Sequence, residues 1–363
     1  MLSRKNKAER KESSKKSITL NCFFYPIINL IYLMRPLYTV FLLHFFLFFS
    51  AQERPTQDIL LSHYTYPFEV QFLELNSQNQ DLKMAYMDVK PKKPNGKSVL
   101  LLHGKNFNGA YWESTIKRLT EEGYRVVVPD QIGFGKSSKP IGYQFSFQAL
   151  AEHTRALLDT LKIDKTHVLG HSMGGMLATR FTLMFPQRVE KLILENPIGL
   201  EDWKLVVPYT SIEENYQKEL KVTYESVKAY QKEFYYDQNW KKAYEPWAYL
   251  LTAWVNSKNY PIVARVNAQT SDMVFTQPVL YEFPLIKAPT LLIIGTRDRT
   301  AIGKNLVKDP KVAASLGQYQ LLGKKTQQAI PNSKLVELEN VGHLPHIEVF
   351  PRFITPLLEF LKN

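Results

Sequence analysis

Beyond about Phe68, apolar positions alternate between short unbroken runs and longer stretches with helical spacing. Phe68 to Leu75 and Leu82 to Val89 read as an antiparallel strand pair around a polar turn, Asn76 to Asp81. Ser98 to Leu102 is a run without polar relief after its first residue, as expected of a strand buried on both faces. Arg125 to Val128, Thr166 to Leu169, Val189 to Leu194, Thr290 to Ile294 and Lys334 to Leu338 read as further strands. Leu150, Thr154, Leu157, Leu158 and Leu161 recur at helical spacing, and residues 173–185 form a second helical stretch stopped by Pro186. Strands alternating with helices predict a mostly parallel, eight-stranded sheet with helices on both faces, an α/β fold.

The alternation stops between about Leu200 and Phe283. Residues 201–282 hold sixteen aromatics and four of the five tryptophans, Trp203, Trp240, Trp247 and Trp254, with helical texture and no strand pattern. This segment is expected to be an inserted helical cap, dividing the core into 52–200 and 283–363. Most of its aromatics would form its own core, and a few facing a site would suffice for an apolar pocket.

The first 51 residues differ from the rest. Seven of the first sixteen are Lys or Arg, and Leu37 to Phe49 is a largely apolar stretch with no charged residue or proline. Thirteen residues are short for a bilayer span of about 20. They fit the apolar region of a secretory signal, with Arg35 as its basic start and cleavage near Ala51. Translation starting at Met34 would suit that reading. The alternative is an uncleaved anchor that uses residues 18–49. Of the net charge of +12, only +6 lies beyond Ala51, spread over lysine-rich loops. That reads as solvated surface rather than a nucleic-acid face. The single cysteine, Cys22, lies in this leader, so the body has no disulfide, cysteine nucleophile or cysteine-ligated metal.

The sharpest chemical signal is Gly170-His-Ser-Met-Gly-Gly175, between an apolar strand and an apolar helix. A serine at such a strand-to-helix turn needs small neighbours, and the helix start offers unpaired N–H groups to an anion. Ser172 is therefore the candidate nucleophile. Its hydroxyl needs a base. Of eight histidines, His343 in Val341-Gly-His-Leu-Pro-His346 follows the last strand and is chosen, with His346 expected at the surface or in a cap. The base needs an orienting carboxylate. Asp298, in Gly295-Thr-Arg-Asp298, follows a strand and is preferred over Glu195, while Asp130 is read as structural. An oxyanion would be held by backbone N–H groups of Met173 and, in the loop His103-Gly-Lys-Asn106, of Lys105. The Lys105 and Asn106 side chains would meet solvent or a polar group of the substrate. No zinc, P-loop or dinucleotide motif occurs in context, so no metal or other cofactor is expected.

Taken together, His103-Gly104, Asp130-Gln-Ile-Gly-Phe-Gly-Lys-Ser137, the Ser172 elbow, Gly295-Thr-Arg-Asp298 and Gly342-His343 resemble the α/β-hydrolase superfamily from about Phe68 to Leu361. Pro129 to Pro140 is similar to haloalkane dehalogenases and epoxide hydrolases, but those attack with an elbow aspartate, so Ser172 argues against both activities. A serine nucleophile resembles the esterase, carbon–carbon bond hydrolase and cofactor-free perhydrolase branches. The resemblance implies an acyl hydrolase, and the aromatic cap suggests a small to medium, largely apolar substrate, most simply a carboxylic ester. The rivals are hydrolysis of a diketone-like carbon–carbon bond by the same residues and a non-catalytic binding protein on the same scaffold.

Overall fold

The computed structural model describes residues 56–363. The basic leader, Cys22, the apolar stretch and the region around Ala51 lie outside the described residues. Eight strands form one sheet: β1 (Gln71–Ser77), β2 (Gln80–Val89), β3 (Ser98–Leu102), β4 (Arg125–Pro129), β5 (Thr166–His171), β6 (Val189–Glu195), β7 (Thr290–Gly295) and β8 (Ser333–Leu338). Their order is β1-β2-β4-β3-β5-β6-β7-β8. β2 runs antiparallel to β1 and β4, and every other pairing is parallel. The first turn is tighter than the polar run suggests. Only Gln78 and Asn79 form it, with φ of 52° and 58°, and two left-handed residues match the twist of a two-residue hairpin.

Because strand side chains alternate between faces, each central strand feeds two cores. Leu100, Leu102, Val168, Leu192, Leu194, Leu292 and Ile294 point to one face. There they meet α2 (Phe147–Thr160) and α3 (Met173–Met184), which follow α1 (Glu113–Glu121) in the chain. Val99, Leu101, Leu169, Ile193, Leu291 and Ile293 point to the other face, against α1 and the C-terminal helix. Each fully buried Leu or Ile contributes about 1.5–3 kcal/mol, which is why these inward-facing positions are apolar.

Between β6 and β7 the chain contains no strand. It forms α4 (Ile212–Glu219), α5 (Tyr224–Tyr230), a π-type turn (Gln231–Tyr235), α6 (Glu245–Thr252) and α7 (Tyr260–Thr276). Its aromatics divide as expected. Trp254 and Tyr260 pack with Leu250, Val263 and Ala264 in a separate cluster, whereas Tyr235, Tyr236 and Tyr244 join the core beside β8. After β7 come α8 (Pro310–Ser315), α9 (Tyr319–Ala329), α10 (Pro345–Glu348) and α11 (Phe350–Lys362). Among the described residues no helix is long and apolar enough to cross a membrane.

His153 lies in α2, buried beside Tyr143, with no partner for Nδ1. Burial lowers its pKa to about 4, against a small opposing effect of Glu152. The fold therefore holds it neutral while the unfolded chain begins to protonate it near pH 6.5. Its contribution is lost as pH falls from there towards 4, by at most about 1.4 kcal/mol per pH unit. Urea unfolding at pH 7, 6 and 5 should show a shallower loss of stability in His153→Leu than in the parent. Equal slopes would exclude this assignment.

Candidate active site

Parallel strands end on the same sheet edge, so residues far apart in sequence meet there. β5 ends at Ser172, β7 leads to Asp298, and β8 leads to the loop bearing His343. At the elbow Ser172 has φ 56° and ψ −122°, a conformation that costs about 1–3 kcal/mol. The turn is held by Ser172 N–H donating to Glu195 O at 3.2 Å, and by Gly175 and Ile198 N–H groups donating to Ser172 O at 2.9 and 3.2 Å. Its glycines are required by close approach. A Cβ on Gly170 would lie 2.1 Å from Gly174 O, and one on Gly174 would lie 2.1 Å from Leu102 O.

His343 Nδ1–H donates to Asp298 Oδ2 at 2.6 Å. That tautomer leaves Nε2 as the acceptor for the Ser172 hydroxyl, 3.0 Å away. His343 and Asp298 are fully buried, and Ser172 is 7% exposed. A buried carboxylate needs donors. Asp298 Oδ1 accepts Thr300 N–H at 2.8 Å, and Oδ2 also accepts Asn196 Nδ2 at 2.8 Å. Asn196 is itself fixed, with Oδ1 accepting Gly295 N–H at 2.9 Å.

The expected oxyanion donors flank the serine. Met173 is the first residue of α3, where no intrahelical carbonyl can take its N–H. Lys105 follows Gly104, whose Cβ position lies 3.1 Å from Ser172 Cβ. The structure thus brings Ser172, Asp298 and His343 within hydrogen-bond reach of one another, with Met173 next in the chain and the Gly104–Lys105 segment alongside. Such an arrangement can deprotonate a hydroxyl beside two N–H groups at the base of the elbow. Among the described residues no cluster of three His, Cys, Asp or Glu side chains is placed to hold a metal ion.

Residues 97–349 match the family of the alpha/beta hydrolase fold. The chain belongs to that family. A "probable hydrolytic enzyme" from Pseudomonas aeruginosa PAO1 is 46% identical, and its crystal structure superposes with a TM-score of 0.83 over 84% of this chain and 98% of that one. Lipase 1 of Psychrobacter immobilis is 27% identical over 70% of this chain and 73% of its own length. The 2-hydroxy-6-oxo-2,4-heptadienoate hydrolase of Pseudomonas putida is 32% identical over 29% of this chain. That match spans only 39% of the relative's own length.

In this alpha/beta hydrolase the two rejected candidates form a pair of their own. Glu195 Oε1 accepts both His346 N–H, at 2.9 Å, and Nδ1–H, at 2.8 Å. His346 is not at the surface. It is 4% exposed and stacked on Trp112 at 4.4 Å, so this pair anchors the His343 loop from below. Asp130 is structural as expected, accepting the N–H groups of Gly109 and Lys136 and the Tyr66 hydroxyl.

Several contributors had no mark in the sequence. Asn196 is one. Tyr235, from the insertion, stacks on the His343 ring at 4.6 Å, and its carbonyl accepts His343 N–H at 3.2 Å. Gly342 is required here rather than for a turn, because its Cβ would fall 1.8 Å from that same carbonyl. His171, unassigned within the elbow, links two loops. Gly104 N–H donates to Tyr111 Oη at 3.0 Å, Tyr111 O–H donates to His171 Nδ1 at 3.0 Å, and His171 Nε2–H donates to His343 O at 2.8 Å. Burial, then the neighbouring histidines, hold His171 well below the usual histidine pKa, so Nδ1 stays an acceptor. Burial likewise raises Tyr111 well above the usual phenol range and keeps its proton.

Proton NMR should show an exchange-protected resonance from His343 Nδ1–H, downfield of the amides. It should vanish in Asp298→Ala, shift in Asn196→Ala and survive in Ser172→Ala. Persistence in Asp298→Ala would mean that His343 has another partner.

Proposed function

We propose that this protein is a serine hydrolase that cleaves an acyl bond, most simply a carboxylic ester, through an acyl-enzyme. One observation carries the reading: Ser172 Oγ lies 3.0 Å from His343 Nε2 while Nδ1 of the same ring is held 2.6 Å from Asp298. Ser172 Oγ attacks the carbonyl carbon as its proton passes to His343 Nε2. The Met173 and Lys105 N–H groups hold the resulting oxyanion, a contribution worth a few kcal/mol per donor. The tetrahedral centre collapses, the bond to the leaving group breaks, and His343 returns the proton to that group. Water, deprotonated by His343, then attacks the acyl carbon and releases Ser172. Asp298 orients the ring and stabilises its charged form throughout.

The aromatic insertion supports a small to medium, largely apolar substrate, because Tyr235 lies against His343 and leaves little room for a bulky polymer. Carbon–carbon bond hydrolysis of a diketone-like substrate is the second reading. It is favoured by similarity to the P. putida dienoate hydrolase and to a Burkholderia cepacia 2-hydroxy-6-oxo-6-phenylhexa-2,4-dienoate hydrolase, 36% identical over 29% of this chain. Residues 34–51 are read as an export signal, which N-terminal sequencing of the mature protein tests. An intact leader on a soluble cytosolic form would contradict it.

A fluorophosphonate probe should label the parent at Ser172 and leave Ser172→Ala unlabelled. The same substitution should lower kcat by about four orders of magnitude or more on the best aryl ester. Absence of labelling in the parent would favour a binding protein. Aryl esters of graded chain length, run beside a vinylogous diketone, separate the two hydrolytic readings by kcat/KM.

A further inference from the structure

On sequence grounds the Asn106 side chain meets solvent or a polar group of the substrate. In the structure it is half-buried, and Nδ2 donates to Tyr235 Oη at 2.9 Å. Among the described residues this is the side chain's sole hydrogen bond. It is not a local cap. Asn108, two residues on, performs that task by accepting Ala110 N–H at 2.9 Å. The Asn106 bond instead joins the loop after β3 to the π-type turn of the insertion, 129 residues away in the chain.

Tyr235 is thereby fixed at three points. Its carbonyl accepts His343 N–H at 3.2 Å, its ring lies on the imidazole at 4.6 Å, and its hydroxyl end is tied to Asn106. Together with the His171 chain these contacts close a circuit. One arm runs from Gly104 N–H through Tyr111 Oη and His171 to the carbonyl of His343. The other runs from His343 N–H through the Tyr235 carbonyl and ring to Asn106, two residues beyond Gly104. His343 therefore has both backbone polar groups engaged, one on each arm. The first arm passes through the residue that precedes Ser172. The second passes through the insertion and closes only at the Asn106–Tyr235 bond.

A stacked ring by itself resists sliding and tilting weakly, because dispersion is a sum of small, undirected contacts. A hydrogen bond at the far end of the phenol is directional and fixes how the ring turns. The ring in turn bounds the imidazole, whose Nε2 must stay aligned on Ser172 Oγ across 3.0 Å. A misplacement of about 1 Å in such a relay can cost about 100-fold in rate. We propose that Asn106 is a positioning residue, acting through Tyr235 Oη to hold the His343 imidazole in register with the loop after β3. The inference rests on the hydrolase reading for what that register serves.

The test removes the one bond from either end. Asn106→Ala deletes the donor, and Tyr235→Phe deletes the acceptor while keeping the ring and the carbonyl. With 4-nitrophenyl butyrate, each should lower kcat about 10- to 100-fold and leave KM within about threefold of the parent. The double variant should be no more than about threefold slower than the worse single one, because both act through the same contact. An unchanged kcat in either variant overturns the proposal, as do losses that multiply in the double variant or a loss carried by KM alone. Ser77→Ala removes a side-chain bond of the same kind, to Tyr143 Oη at 2.9 Å on the edge strand β1. It should lower the melting temperature comparably without changing kcat. An equal fall in kcat there would mean that activity follows stability, and would also overturn the proposal.

A second readout does not need turnover. The downfield proton resonance of His343 Nδ1–H should shift or exchange faster in Asn106→Ala and Tyr235→Phe alike. An identical resonance with identical exchange in parent and variants overturns the clasp. A parent that cleaves no ester and resists fluorophosphonate, with the shared change in that resonance, would remove the hydrolase reading and leave the positioning of His343 by Asn106 standing.

Discussion

The structure depends on one steric constraint, the near-contact of three backbone segments beneath Ser172. The elbow folds back so tightly that Gly170 faces the Gly174 carbonyl and Gly174 faces the carbonyl of Leu102 on the neighbouring strand. That closeness puts Ser172 on the sheet edge in a conformation serine rarely adopts. It also places the first N–H of α3 beside the loop after β3. The strain is sustained by hydrogen bonds from Gly175 and Ile198 and by the buried apolar strands on either side.

Around that point, buried carboxylates are held by hydrogen bonds from neighbouring donors. Asp298 would be untenable inside the protein without the donors from Thr300, Asn196 and His343. Glu195 and His346 repeat the carboxylate–imidazole theme one layer below and fix the loop on which His343 sits. The His171 chain ties that loop to the one carrying Gly104. Ser172, His343, Asp298 and the loop carrying Gly104 are thus parts of one hydrogen-bonded framework, with tautomers set by their neighbours.

Much of this was legible in the sequence because the relevant signals are local. Apolar runs marked the strands, and strand ends located Ser172, Asp298 and His343. The elbow carried its own glycines. What remained hidden depends on tertiary register. Glu195 ends one strand and Asp298 closely follows another, and His343 and His346 lie three residues apart, so residue types alone cannot say which carboxylate meets which ring. Only the packing of Trp112 and Tyr235 separates them. Asn196 looked like an ordinary residue before a proline. The first hairpin differed for a similar reason, since polar residues at 76, 77, 80 and 81 suit both a wide turn and the exposed ends of two strands.

Tyr235 gives the inserted helices a second significance. It supplies both the face against which the imidazole rests and the carbonyl that fixes the backbone of His343, so the segment is a structural wall of the His343 ring. In the proposed hydrolase, selectivity and proton transfer would therefore share a single support. Transplanting another homologue's insertion onto this sheet, in order to change what it accepts, would replace the buttress of the His343 ring at the same stroke.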